Sequence, residues 1–206
     1  MPALAQLALP LLDNGEEASR IIVGEPNAAV AKALSEPKRW PFHTAVLAGP
    51  ARSGKTLLGR WFAAAHPQAQ VVDGADQMAE AELFHAWNRA QERGSPLLLI
   101  TGDESWQVAL PDLRSRLAAA LHLLISPPDD PMLVGLIELH AERRRLALGE
   151  EAATYLTSRI GRSYAAAEAV VAEIDRLSLE RKVPPTRSIW RDALEAVEGP
   201  EQSRLL

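Results

Sequence analysis

Thr44-Ala45-Val46-Leu47-Ala48-Gly49-Pro50-Ala51-Arg52-Ser53-Gly54-Lys55-Thr56 decides how this chain is read. A short run of strand character enters a Gly-bounded turn, and Leu57-Leu58-Gly59-Arg60-Trp61-Phe62 continues it as a helix. The turn fits G-x-x-x-x-G-K-S/T in the strand–loop–helix setting that gives this pattern its meaning. Glycines let the main chain wind closely around phosphate oxygens, and successive N–H groups at a helix N-terminus face the anion. Gly49, Pro50, Ala51, Arg52, Ser53, Gly54, Lys55, Thr56 and Leu57 are therefore the candidate phosphate cradle. Lys55 offers a point charge to the outer phosphates of ADP or ATP, and the Thr56 hydroxyl a ligand for Mg2+.

On either side of this stretch, apolar runs alternate with helical patterns. Val71-Val72, Leu97-Leu98-Leu99-Ile100 and Leu121-His122-Leu123-Leu124-Ile125 read as strands, and residues 56–66, 79–93 and 111–120 as helices. Ile21-Ile22-Val23-Gly24 leads into a helix that runs from Pro26-Asn27 to Leu34 and is closed by Trp40-Pro41. Buried strands separated by helices predict an α/β fold with a parallel sheet covered on both faces. Only about four residues lie between the loop helix and Val71, too few for another strand and helix, so the sheet should be reduced to about four strands.

Pro127-Pro128-Asp129-Asp130-Pro131 breaks this pattern, with Asp130 suited to cap a helix and Pro131 to occupy its first turn. Beyond it everything reads as helix. Leu133, Leu136, Ile137 and His140 share one face, and Ala167, Val170, Val171, Ile174 and Leu177 another. Gly149 and Gly161 mark helix ends, and Val183-Pro184-Pro185-Thr186 sets off a last helix over 187–197. The expected organisation is an extended tail over 1–20, an α/β nucleotide domain over 21–127 and a small all-helical lid over 128–206.

Composition narrows the class. The 206 residues suffice for one substantial core and a smaller lobe. There is no cysteine, which excludes disulfides and thiolate metal sites. A formal charge of −5 disfavours direct nucleic-acid binding, which needs a positive field. His43, His66, His85, His122 and His140 lack short metal-ligand spacing and read as structural or surface groups. Residues 1–12 are apolar without a basic leader, and no run approaches the roughly 18 apolar residues of a membrane span, so a cytoplasmic protein with no membrane partner is expected.

An α/β nucleotide core followed by a helical lobe is the layout of an AAA+ module, and several segments resemble the Hda/HdaA family, stand-alone relatives of the bacterial replication initiator DnaA. Gln6-Leu7-Ala8-Leu9-Pro10-Leu11 is similar to the family's Q-L-x-L-x-L peptide for the β sliding clamp. Gln6, Leu7, Leu9, Pro10 and Leu11 are its candidate contacts, with Pro10 lowering the cost of ordering an extended peptide. Ile22-Val23-Gly24-Glu25-Pro26-Asn27 resembles the V-G-x-x-N lead-in to the adenine pocket, and reads equally as a strand-to-helix cap by Asn27. Val71-Val72-Asp73 stands where a Walker B strand would end, which assigns Asp73 to the Mg2+ shell. Gly74 occupies the place where relatives carry a second acid, so self-hydrolysis should be slow, with Asp76 the nearest substitute.

Thr101-Gly102-Asp103 resembles the end of a sensor-1 strand, where Thr101 or Asp103 would sense the terminal phosphate. Leu110-Pro111-Asp112-Leu113-Arg114-Ser115-Arg116-Leu117 resembles the family's L-P-D-L-x-S-R-L box. The resemblance makes Arg116 an arginine finger offered to a neighbour's nucleotide, and leaves Arg114 a solvated helix charge. In the helical lobe Ala165 falls near the sensor-2 position, and Arg162 is the local candidate for that role.

These features imply a nucleotide-bound regulator that docks on the β sliding clamp and stimulates hydrolysis of DnaA-bound ATP through Arg116. DNA would be reached only indirectly, since no helix-turn-helix fits after residue 206, and a homodimer is one assembly open to the free protein. The alternatives are an autonomous AAA+ ATPase or loader, and a non-catalytic clamp adaptor whose nucleotide is structural.

Overall fold

The computed structural model describes residues 5–8, 20–102 and 106–202, with side chains over 20–102 and 106–197. It divides the chain between Ser126 and Pro127 into an α/β unit and a helical unit.

The α/β unit is built on four parallel strands, β3 (Thr44–Ala48), β4 (Gln70–Asp73), β5 (Leu97–Ile100) and β6 (Leu121–Leu124), in the order β4-β5-β3-β6. The reduced sheet read from the short spacing before Val71 is the one observed. β5 is buried at all four positions and β3 at four of five, because each has a strand on both sides and helices on both faces. Parity divides those faces. Val46, Leu97, Leu99 and Val72 meet Leu83 and Ala90 of α3 (Glu80–Arg93) and Leu113 and Leu117 of α4 (Pro111–Ala118). Ile100 and Val71 turn the other way, against the phosphate-loop helix α2 (Lys55–Ala65).

Two further elements precede this sheet, namely α1 (Glu25–Ser35) and a two-stranded antiparallel ribbon. In the ribbon β1 (Ala5–Ala8) pairs with β2 (Arg20–Val23), with Gln6 opposite Ile22 and Leu7 opposite Ile21. Residues 5–8 of the expected extended tail are thus paired with β2. Extended backbone beside a strand edge satisfies its own N–H and C=O groups by pairing. Trp40, buried after α1, stacks on Phe62 of α2 at 5.0 Å and donates its indole N–H to the Ala33 carbonyl at 2.8 Å.

The helical unit comprises α5 (Asp130–Arg143), α6 (Glu150–Thr157), α7 (Tyr164–Arg181) and α8 (Arg187–Gln202). Its cap is Asp129 rather than Asp130: the Asp129 carboxylate accepts the Met132 N–H at 2.9 Å, and Asp130 is the first helical residue. The last helix runs to Gln202, past the expected end at 197. Leu133, Ile137, Leu156, Val170, Val171, Ile174 and Ile189 form a closed aliphatic core. Two hydroxyls fix this region locally. Ser163 Oγ accepts the Ala166 N–H at 3.0 Å and caps α7. The Tyr164 hydroxyl donates to Met132 Sδ at 3.5 Å, and burial, seconded by the Asp129 charge, pushes its pKa up to about 12.

Candidate nucleotide site

The phosphate loop connects β3 to α2. Gly49 leaves the sheet against the end of β6, where a Cβ on it would stand 2.8 Å from Ile125 Cβ, so any larger residue would lift the loop. Gly54 caps α2 in left-handed backbone, and nothing lies within 4 Å of its missing Cβ, which leaves that side of the loop open. Lys55 Nζ donates to the carbonyls of Gly49 at 2.7 Å and Pro50 at 2.8 Å, holding the ammonium inside the turn. Ser53 is buried, and its Oγ has no hydrogen-bond partner. An unsatisfied buried hydroxyl costs about 1–3 kcal/mol, a cost that a ligand oxygen in the loop would remove. Thr56 lies exposed on the first turn of α2, as do Ala51 and Arg52 in the turn before it. An orphaned hydroxyl, an ammonium and the N-terminus of an eleven-residue helix fit a polyphosphate.

Sheet register gathers the remaining candidates of this unit. Asp73 is level with Ile100, and Ile100 with Leu47, so Asp73 and Thr101 leave the sheet at the end from which the phosphate loop departs. Asp73 is exposed, whereas Thr101 is buried and gives its N–H to the Leu47 carbonyl at 3.0 Å. Gly74 takes φ +72°, a backbone that strains an L-acid, and opens the turn Ala75–Gln77. Through that turn Asp76 accepts the Gly102 N–H at 3.2 Å, so its carboxylate ties this loop to the end of β5. Asp103 lies outside the described residues.

Ile22 and Val23 lie on β2, Ile22 buried and Val23 half-buried. Asn27, also buried, accepts the Gly24 N–H at 3.0 Å and donates to the Ile22 carbonyl at 2.9 Å. Its side chain therefore fastens the strand-to-helix turn and has its polar atoms committed there. Gln6 and Leu7 lie on β1, while Leu9, Pro10 and Leu11 fall outside the described residues.

Arg116 is held by its own chain. Its guanidinium lies between Phe84 and Trp87 of α3, 4.4 and 4.3 Å from the ring centroids, and donates to Asn88 Oδ1 at 2.6 Å. Reading by composition passed over these three residues, although Phe84, Trp87 and Asn88 stand at helical spacing on one face. Arg162 belongs to the helical unit, where it pairs with Asp130 at 2.9 Å, both side chains well exposed. Ala165 is exposed on the first turn of α7. Among the described residues no helix is long and apolar enough to cross a membrane.

No family model matches the chain. An uncharacterised Haemophilus influenzae protein is 32% identical over 114 residues, which cover 54% of this chain and 49% of that protein. The chain thus spans about half the length of this curated relative. Solved structures match far more of it. Domain III of the Thermotoga maritima initiator DnaA superposes with a TM-score of 0.73 at 15% identity, covering 87% of this chain and 95% of that one. A DnaA structure bound to AMPPCP and single-stranded DNA gives 0.62 at 16% identity, over 79% and 66%. Thermotoga maritima RuvB gives 0.63 at 17%, over 84% and 70%. Likeness at such identities speaks for architecture, and the architecture of this chain is the AAA+ fold in its DnaA-like form.

Proposed function

We propose that the chain is a nucleotide-binding regulator of DNA replication initiation, akin to the Hda/HdaA family. The observation that carries this reading is a complete phosphate loop set in a fold like DnaA domain III. Lys55 would hold the outer phosphates of ADP or ATP, the loop N–H groups the inner ones, and Thr56 with Asp73 the Mg2+ ion. Ile22 and Val23 would contribute to the base pocket, and Thr101 would sense the terminal phosphate. The bound nucleotide supplies a fixed polyanion around which this loop is ordered. Gly74 in place of an acid, and Asp76 committed to Gly102, favour a nucleotide that is retained rather than turned over.

On this reading Gln6, Leu7, Leu9, Pro10 and Leu11 dock on the β sliding clamp, and Arg116 acts in trans on DnaA-bound ATP. Tethering through the clamp replaces a dilute encounter by a locally concentrated one. A guanidinium finger can accelerate phosphoryl transfer by ~10³–10⁵-fold. To serve in this way, Arg116 must exchange its hydrogen bond to Asn88 for a phosphoryl oxygen. The same packing favours a second reading, a non-catalytic clamp adaptor in which Arg116 fastens α4 to α3.

DnaA–ATP hydrolysis on clamp-loaded DNA separates the two. With wild-type protein, stimulation is expected, and Arg116→Ala should abolish it while capture by purified clamp persists. Stimulation that survives Arg116→Ala would remove the finger, and loss of capture in Gln6→Ala would locate the docking peptide independently.

A further inference from the structure

The face of the sheet turned away from α2 is incompletely covered. α3 packs over it and α4, only eight residues long, closes the β3–β6 side in part. A cavity of about 650 Å³ remains there. Val46, Val108 and Leu117 provide apolar walls, with Trp106 beside them and Gln107, Arg114 and His122 as polar members. Val46 and His122 are register partners on β3 and β6 and so face the same side. The wall carrying Trp106 and Val108 is pinned in place: the two carboxylate oxygens of Glu80 accept the N–H groups of Ala109 and Leu110 at 2.7 and 2.6 Å.

Among the described residues, Arg114 has no hydrogen-bond or ion-pair partner in this cavity. Arg114 and Arg116 are two residues apart on α4 and therefore point about 200° apart around the helix. Arg116 is taken up by Phe84, Trp87 and Asn88, whereas Arg114 is exposed and makes no hydrogen bond or ion pair with the described residues. Glu80 is engaged by the backbone of the cavity wall. Small-molecule sites are concave, about 300–1,000 Å³, mostly apolar and supplied with a few polar groups. The cavity meets each condition, and a single guanidinium over an apolar floor selects one ligand chemistry.

We propose that this cavity is a second ligand site, separate from the phosphate loop. It would take a small aromatic anion, with its ring against Trp106, Val108 and Leu117 and its carboxylate, sulfonate or phosphate on Arg114. The proposal stands apart from the regulatory reading, since it uses none of the nucleotide or clamp residues.

Two fluorescent probes with the same ring body test it on the intact chain: 1-anilinonaphthalene-8-sulfonate, an anion, and N-phenyl-1-naphthylamine, which is neutral. Wild-type protein should bind one anionic probe, with unchanged affinity when Mg-ADP is present. Arg114→Gln should weaken the anionic probe about five- to tenfold and leave the neutral one unaffected. Ala118→Trp, which fills the cavity from an exposed rim position, should abolish binding of both. Native near-ultraviolet circular dichroism and melting temperature verify that each variant is folded. Absence of probe binding to the wild type, displacement by Mg-ADP, or equal binding by folded Arg114→Gln and Ala118→Trp proteins would each overturn the proposal.

Discussion

The two units solve the same packing problem with different tolerance for polarity. In the helical unit the described buried residues from Leu133 to Leu194 are aliphatic except for Tyr164 and Ser178. The α/β unit instead buries Asn27, Thr44, Ser53 and Thr101, and its backbone is left-handed at Arg52, Gly54 and Gly74, as that of the helical unit is at Arg145 and Lys182. Buried polar groups and strained backbone carry a cost that neighbouring structure or a ligand can offset. Three of these features, Ser53, Thr101 and Gly74, stand at the sheet end where the phosphate loop departs. One unit is organised for packing, and the other gathers several of its polar and left-handed residues around the candidate phosphate loop.

The largest effect should come from breaking the aliphatic core of the helical unit. Ile174→Ala in α7 is expected to cost about 2–5 kcal/mol in the helical unit, read by denaturant unfolding with tertiary probes in each unit. A loss below 1 kcal/mol would mean that this core is not close-packed. The polar side is challenged by Lys55→Ala, which should weaken ADP about 10- to 100-fold by calorimetry and leave the unliganded fold intact. ADP affinity unchanged by the substitution would separate the loop from nucleotide binding.

Asn27→Ala sharpens the distinction between a cap and a ligand contact. Losing one buried and one partly buried hydrogen bond should destabilise the α/β unit by about 1–3 kcal/mol, with the same loss at saturating and zero ADP. A stability loss seen only with ADP present would make Asn27 a nucleotide contact instead. Arg116→Ala should remove about 1–2 kcal/mol from the same unit by deleting a doubly stacked cation and its bond to Asn88. Unchanged stability would show that the guanidinium leaves this cradle readily, as a trans role requires.

The last test is a pH dependence in the helical unit. Tyr164 has its folded pKa raised from 10.0 to about 12 by burial and, secondarily, by Asp129. Between those values the unfolded chain releases the phenolic proton and the folded one retains it, so stability falls as pH rises through this window. Below pH 10 this contribution is fully present. Tyr164→Phe should therefore flatten the decline between pH 10 and 12 relative to wild type, as followed by melting temperature.

Much of this contrast was legible in the residues. β3, β5 and the helices around the phosphate loop follow from local signals: apolar runs bounded by turns, helical spacing, and a loop pattern whose glycines have a backbone reason. The short spacing before Val71 removed one strand–helix unit by length alone, and the sheet has the expected four strands. Other features were out of reach. Asp129 and Asp130 are both suited to cap α5, and only the geometry of the first turn selects Asp129. The pairing of β1 with β2 joins residues separated by an unpatterned stretch, and such a contact leaves no local trace.

By itself, then, the sequence determined most of the strands, loops and helices around the phosphate loop, because those choices depend on neighbours three or four residues away. It also raised the expectation of an anion-binding loop, since that pattern is written in one contiguous segment. Tertiary structure decided what each polar side chain is committed to: Asn27 to a turn, Asp76 to the end of β5, Arg116 to two rings and an amide, Arg114 to an open cavity. Those commitments depend on which distant elements fold beside them, and identical arginines two residues apart end in opposite surroundings because a helix turns them to different faces.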